Sequence, residues 1–222
     1  GAYPQVIPYD QSIRPALLET LQRLQPGKIA INYSLNDTHA DGLSYGQYQL
    51  LCGYLAGTPF TERLVSAEGV IAALRGRKTA SEISLLRKAV ATTEEIYART
   101  FDFLQPGMTE KQVGEFMWSQ MAALGVSESW EKASCPAVNS GPDSAVGHSG
   151  PTDILLEHGH IVHFDFGIRQ EGYCSDIQRV VYLLREGERR APADVQRGFD
   201  TIAAATQAAV QAMRPGMEGW QV

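Results

Sequence analysis

The stretch HFDFGIRQEGYCSDIQRVV, residues 163–181, reads as two apolar strands joined by a turn, yet it carries two aspartates, Asp165 and Asp176. Side chains alternate along a strand, so His163 and Asp165 share one face while Val162, Phe164 and Phe166 take the other. On the second strand Asp176, Gln178, Val180 and Tyr182 share a face. A carboxylate withdrawn from water needs a partner or a cation to offset its desolvation. Any fold open to this chain must therefore give both carboxylates water, each other or a ligand.

The turn decides whether they meet. A two-residue loop centred on Gln170 and Glu171 sets Asp165 directly across from Asp176, with Cβ atoms roughly 4.5 to 5.5 Å apart, where like charges repel. A three-residue loop closed by Gly172 with a G1 bulge is the competing register and sends Asp176 to the opposite face. Facing carboxylates admit three readings: a shared proton that raises one pKa, a structural ion pair with an arginine such as Arg179, or one or two divalent cations held between them. Oxygen ligands suit a hard or borderline ion, and bridging carboxylates hold two ions roughly 3.5 to 4 Å apart in hydrolytic sites. Two carboxylates cannot fill two coordination shells, so the metal reading demands further ligands.

Upstream, KIAINYS reads as a strand, GQYQLLCGYLAG as a short helix, and RLVSAEGVIAALRGRK as a strand and a helix. Residues 1–77 thus form a small α/β unit whose first strands are expected to be absent. From 78 onward Thr79 to Glu82 has capping-box form and opens a long helix with Ile83, Leu86, Val90, Ile96, Tyr97, Phe101 and Leu104 near one face. Pro106-Gly107 ends it, and a second box, Thr109 to Gln112, starts a helix that reaches about Leu124. After the strands, the pattern from Pro192 is helical again and ends in MRPGM. LQPGMTEKQV (104–113) and MRPGMEGWQV (213–222) match at Pro-Gly-Met and Gln-Val, each after a long helix. The reading is a duplicated half-domain whose second copy is largely absent from the chain, with part of any site between the halves absent too.

The aspartate segment, Asp165-Phe166-Gly167, Gly172-Tyr173-Cys174-Ser175-Asp176-Ile177 and Arg179, resembles the metal-binding strand pair of the creatinase/aminopeptidase (pita-bread, M24-type) metallopeptidases. Within that family it is most similar to Xaa-Pro peptidases, aminopeptidase P and prolidase. The likeness extends to ADGLSYGQY, LRGRKTASEISLLRKAV, LQPGMT and VNSGPDSAVGHSGPTDILLEHGHIVHFDFG. It implies an α+β fold: the first half of a duplicated helix and antiparallel-sheet pita-bread domain (78–222), preceded by a partial amino-terminal α/β domain (1–77). It implies that Asp165 chelates one metal ion and Asp176 bridges two, which favours the facing register, and that His148 contacts the substrate and the tetrahedral intermediate. The family's other ligands, one histidine and two glutamates, have no matching positions here, so this chain alone is expected to be inactive. The implied cofactors are two divalent ions, Mn²⁺ first and Zn²⁺ or Co²⁺ as alternatives, activating a water against an Xaa-Pro bond. The implied substrate is a proline-containing peptide, recognised by ring shape because a prolyl amide has no N–H. Homodimers are common in the family.

The totals narrow the setting. A formal net charge of −6 and a pI near 5.4, with Lys and Arg scattered, argue against a nucleic-acid surface or an anionic-membrane anchor. No apolar run approaches the roughly 18 residues of a membrane span. Cys52, Cys135 and Cys174 suggest neither a disulfide framework nor a zinc site, and a reducing cytoplasm is the expectation. His39 is a weak ligand candidate, His158 and His160 read as solvated, and His163 reads either as a donor beside the site or as an ordinary strand histidine. Tyr173 and Arg179 read as braces or charge balance, and Cys174 as no nucleophile. Two other functions stay open: a creatinase-like hydrolase of C–N bonds in small metabolites, and a non-catalytic pita-bread interaction module.

Overall fold

The computed structural model describes residues 5–145, 147 and 149–222. The chain divides into two compact units, Gly1–Thr79 and Ala80–Val222.

In the first unit, α1 (Arg14–Leu24) precedes β1 (Ile29–Ile31), α2 (Tyr45–Leu55), β2 (Leu64–Ser66) and α3 (Glu68–Gly76). β1 and β2 are parallel, with Ile29 opposite Leu64, so α2 lies in the crossover that parallel strands require. Leu21, Leu55 and Phe60 form the core, with Leu17, Leu18, Ile29, Leu51 and Leu64 packed on it. α1 adds to the elements anticipated from sequence; Leu17, Leu18 and Leu21 line one of its faces, and Pro15 sits in its first turn, where no N–H is needed. α2 starts at a capping box between Ser44 and Gln47.

The second unit runs α4 (Ala80–Phe103), α5 (Glu110–Leu124), β3 (Ser127–Glu128), β4 (Ala137–Ser140), β5 (Ile161–Phe166), β6 (Ile168–Gln170), β7 (Tyr173–Cys174), β8 (Ile177–Tyr182) and α6 (Ala193–Ala212). β4, β5 and β8 form one antiparallel sheet with β5 central, and β3, β6 and β7 a second. The capping box at the start of α5 is realised in both bonds, Gln112 N–H to Thr109 Oγ1 at 3.1 Å and Thr109 N–H to Gln112 Oε1 at 2.8 Å. Phe164 and Phe166 point from β5 into the helices, where the Tyr97 ring meets them edge-on with centroids 6.0 and 5.6 Å away. Tyr97 also donates its hydroxyl to the Ile177 carbonyl at 2.7 Å, which ties α4 to the start of β8. Val113, Met117, Val138, Val162 and Leu156 belong to the same core.

Two expectations about helix faces change. Ile83 and Val90 are exposed, and the buried side of α4 is Ala89, Thr93, Ile96, Tyr97 and Thr100. Threonine fits there because its hydroxyl bonds the carbonyl four residues back, Thr93 to Ala89 and Thr100 to Ile96. α6 forms as anticipated but buries none of its residues among those described; Phe199 and Ile202 on its apolar side stay exposed.

The hairpin register also differs from the facing alignment. Gln170 pairs with Tyr173 and Asp165 with Gln178, so the turn residues are Glu171 and Gly172. Both have positive φ, 51° and 84°, the signature of a type I′ turn, whose twist matches that of the strands it joins. A turn centred one step earlier would place two residues with Cβ atoms, Gln170 and Glu171, at those angles, whereas Gly172 takes one at no steric cost. The loop keeps two residues and forms no G1 bulge, so the aspartates stay on one face, offset diagonally rather than opposed. Gly172→Ala is expected to destabilise the second unit by about 1 to 2 kcal/mol in urea denaturation, because alanine pays the left-handed penalty there.

Candidate metal centre

Asp165 sits near the carboxyl end of the central strand, between the buried Phe164 and Phe166, with Ala137 of β4 and Gln178 of β8 opposite it. The two phenylalanines fill the helix side of the sheet, so alternation turns Asp165 to the other side. Gln178 Nε2 donates to Asp165 Oδ2 at 3.2 Å. Asp165 Oδ1 is buried and has no hydrogen-bond partner among the described residues.

Asp176 lies in the two-residue break between β7 and β8, and its neighbour Ser175 fixes that break. Ser175 Oγ accepts from the Ile168 N–H at 2.9 Å and lies 2.6 Å from Thr93 Oγ1, while its carbonyl accepts from Ser129 Oγ at 2.6 Å. The facing residue must be glycine. A Cβ on Gly167 would stand 2.0 Å from the Ser175 carbonyl oxygen. Asp176 is itself exposed. Its pKa is raised, first by partial burial and then by the negative charge of Asp165.

These observations sort the three readings of the pair. Arg179 pairs with Phe164 in the register and points to the helix side, its guanidinium 5.9 Å from the Tyr97 ring centroid and 3.5 Å from Glu94. It does not neutralise the aspartates, and among the described residues neither aspartate is in an ion pair. What remains is a shared proton or a cation. A buried carboxylate oxygen with no donor, beside a second carboxylate on the same face, fits a divalent ion by charge and by donor chemistry. Among the described residues no group of three His, Cys, Asp or Glu is placed to hold a metal.

The remaining candidates separate cleanly. His148 lies outside the described residues. His163 shares the face of Asp165, half-buried, with Nδ1 3.3 Å from Asn139 Oδ1. Asn139 Nδ2 donates to the Ala145 carbonyl at 2.8 Å, so its Oδ1 is left as the acceptor and His163 carries its proton on Nδ1 in the neutral form. His158 is exposed, with Nδ1 2.6 Å from the Leu184 carbonyl. His160, anticipated as solvated, is partly buried instead, with Nδ1 3.2 Å from Ser140 Oγ and 3.3 Å from the Glu157 N–H. It packs on Gly141, whose positive φ and missing Cβ make the room. In the first unit, His39 is exposed beside Asp37. Tyr173 braces the hairpin by donating to Glu82 on α4 at 2.9 Å. Cys174 is exposed and lies opposite Arg169. Asn139 and Glu110, both buried, escaped the sequence reading; the pairing of Asn139 with His163 across β4 and β5 becomes visible only once the strands are aligned.

Residues 84–222 match the sequence model of metallopeptidase family M24. A Mycobacterium tuberculosis protein named probable dipeptidase PepE is 36% identical over 159 residues, which cover 71% of this chain and 40% of that protein. The Xaa-Pro dipeptidase of Lactobacillus helveticus is 33% identical over 190 residues, 82% of this chain and 48% of that protein. The solved structure of an Xaa-Pro dipeptidase from Bacillus anthracis superposes with a TM-score of 0.69 at 22% identity, covering 94% of this chain and 53% of that one. The fold is therefore the pita-bread fold anticipated above, and the chain spans about half the length of the relatives it matches.

Because the charge of Asp165 adds to burial in raising the Asp176 pKa, Asp165→Asn is expected to lower the titration midpoint of Asp176 in metal-free protein. Carboxyl NMR against pH reads this directly, and an unmoved midpoint would show that the two groups do not interact.

Proposed function

The chain belongs to metallopeptidase family M24, and from that premise we propose that the complete protein hydrolyses Xaa-Pro peptide bonds with two divalent ions, in the manner of an aminopeptidase P or a prolidase. The observation that carries this reading is the buried Oδ1 of Asp165, unpartnered among the described residues, on the same face as Asp176. Asp165 would hold one ion and Asp176 both, with Mn²⁺ as the expected metal and Zn²⁺ or Co²⁺ as alternatives. When bound, the ions supply Lewis acidity for attack on the scissile carbonyl.

The protein's own side chains do the rest. Gln178 holds Asp165 by its Oδ2, leaving Oδ1 free for the ion. Ser175, gripped from α4, β6 and the β3 end, fixes where Asp176 is presented. His148 would contact the substrate carbonyl and the developing negative charge on its oxygen. The reading makes 78–222 the catalytic unit and 1–77 an amino-terminal domain, and requires a histidine and two glutamates beyond the residues available here. It also carries a homodimer, by analogy, and a cytoplasmic setting, which three free thiols favour. No helix among the described residues is long and apolar enough to cross a membrane.

The test is turnover of Xaa-Pro dipeptides and longer Xaa-Pro peptides by the complete protein with Mn²⁺. Cleavage is expected, and the ratio of the two substrates separates dipeptidase from aminopeptidase. Asp165→Asn and Asp176→Asn should each lower kcat/KM by at least about 100-fold, since each removes transition-state stabilisation worth several kcal/mol. Cleavage of small C–N substrates such as creatine, with none of Xaa-Pro peptides, would replace this reading by the creatinase-like one. No hydrolysis of either would favour the interaction module.

A further inference from the structure

On β5, His163 and Asp165 stand two residues apart on one face, a repeat of roughly 6.8 Å along an extended strand. The two ring nitrogens of His163 are in different circumstances. Nδ1 lies 3.3 Å from Asn139 Oδ1, directly across on β4, whereas Nε2 has no hydrogen-bond partner among the described residues. Across the other edge stands Val180 of β8, whose side chain offers neither donor nor acceptor. Asn139 is 4% exposed, and with its Nδ2 donating to the Ala145 carbonyl its Oδ1 meets the imidazole as an acceptor. The neutral ring therefore holds its proton on Nδ1 and presents a lone pair at Nε2. A buried amide used in this way fixes tautomer and ring plane together, which is how proteins orient histidines that act through their other nitrogen.

That lone pair calls for a donor. His163 is not placed as a third ligand beside the aspartates, since among the described residues no group of three His, Cys, Asp or Glu is set to hold a metal. A peptide cleaved before proline has no N–H at the scissile bond. In an Xaa-Pro dipeptide with an apolar Xaa, the N–H donors are those of the α-amino group. Its nitrogen is two bonds from the scissile carbonyl carbon, so whatever binds the amino group must stand beside whatever binds the carbonyl. His163 and Asp165 stand side by side in that way on β5. A positive amino terminus also suits a face with two carboxylates, from which Arg179 is turned away toward Glu94 and Tyr97.

We propose that His163 is a specificity-determining residue: its Nε2 accepts a hydrogen bond from the free amino terminus of the substrate, and Asn139 holds the ring in the tautomer that permits this. The substrate half of this statement rests on the Xaa-Pro reading given above; the tautomer half does not.

Imidazole ¹⁵N NMR of the complete, metal-free protein, at a pH where the ring is neutral, tests the orientation. His163 should be the Nδ1–H tautomer; the Nε2–H tautomer would overturn the proposal, because that nitrogen would then be a donor. Kinetics of the Mn²⁺-loaded protein test the recognition, with alanyl-proline as substrate and propionyl-proline, the same molecule without its amino group, as competitor. His163→Leu should lower kcat/KM for alanyl-proline about 10- to 100-fold, the range for a hydrogen bond to a charged group, while the Ki of propionyl-proline and the Mn²⁺ affinity each move by less than about twofold. Equal weakening of both ligands would reduce His163 to a packing residue, and a marked loss of Mn²⁺ affinity would make it a metal ligand; either result overturns the proposal. His163→Gln, which restores an acceptor, should recover part of the loss, and recovery no better than with leucine would contradict the acceptor role. Should the unsubstituted protein cleave no Xaa-Pro peptide, the functional reading falls by itself. Calorimetry then decides this proposal separately: tighter binding of alanyl-proline than of propionyl-proline, abolished by His163→Leu, would uphold the amino-group site, and equal binding of the two would end it.

Discussion

Everything about the candidate centre depends on the alternation of one strand. Phe164 and Phe166 drive β5 onto the helices, where Tyr97 meets both rings, and that anchoring obliges Asp165 to face the opposite way. A slip of one residue would put the carboxylate among the phenylalanine pockets and the phenyl rings at the open face, so the hydrophobic core itself enforces the position of the charge. The same helix extends the control to Asp176. Tyr97 holds the Ile177 carbonyl and Thr93 holds Ser175, the residues on either side of it.

The electrostatics of that face are unbalanced as the protein stands. Arg179, the arginine named above as a counter-charge for the aspartates, is engaged with Glu94 and Tyr97 behind the sheet. Among the described residues Asp165 has a donor for one oxygen and none for the other, and partial burial together with the Asp165 charge makes Asp176 hold its proton more tightly. A cation would relieve the repulsion and fill the open acceptor together, and a structural pair of this kind would instead be built with its counter-charge in place. Around this centre the buried polar groups serve position: Asn139 orients His163 and grips Ala145, and Glu110 accepts from the Ser140 and Thr152 N–H groups.

Much of this was readable from residues alone, where local chemistry decides. The Thr109 to Gln112 capping box and the shared face of His163 and Asp165 follow from short-range pattern and reappear in the structure, whereas each expected strand of the aspartate hairpin is broken in two, with Asp176 in the break between β7 and β8. The turn was misplaced by one step because counting residues between two aspartates ignores which of them can adopt positive φ; Gly172 decides that. The buried face of α4 was hidden because two of its contacts are threonines, which look polar in sequence and become apolar once their hydroxyls bond the preceding turn. Asn139 and Glu110 gave no signal at all, since their partners lie 6 to 42 residues away and only the fold brings them together.

The central claim is that Asp165 and Asp176 are ligands to metal rather than a proton-sharing pair. Anomalous diffraction at the manganese edge, from crystals of the complete protein grown with Mn²⁺, tests it most directly. The account predicts two peaks roughly 3.5 to 4 Å apart, with Asp176 coordinating both and Asp165 Oδ1 coordinating one. An aspartate pair in direct contact with each other, with no anomalous peak beside them, would contradict it.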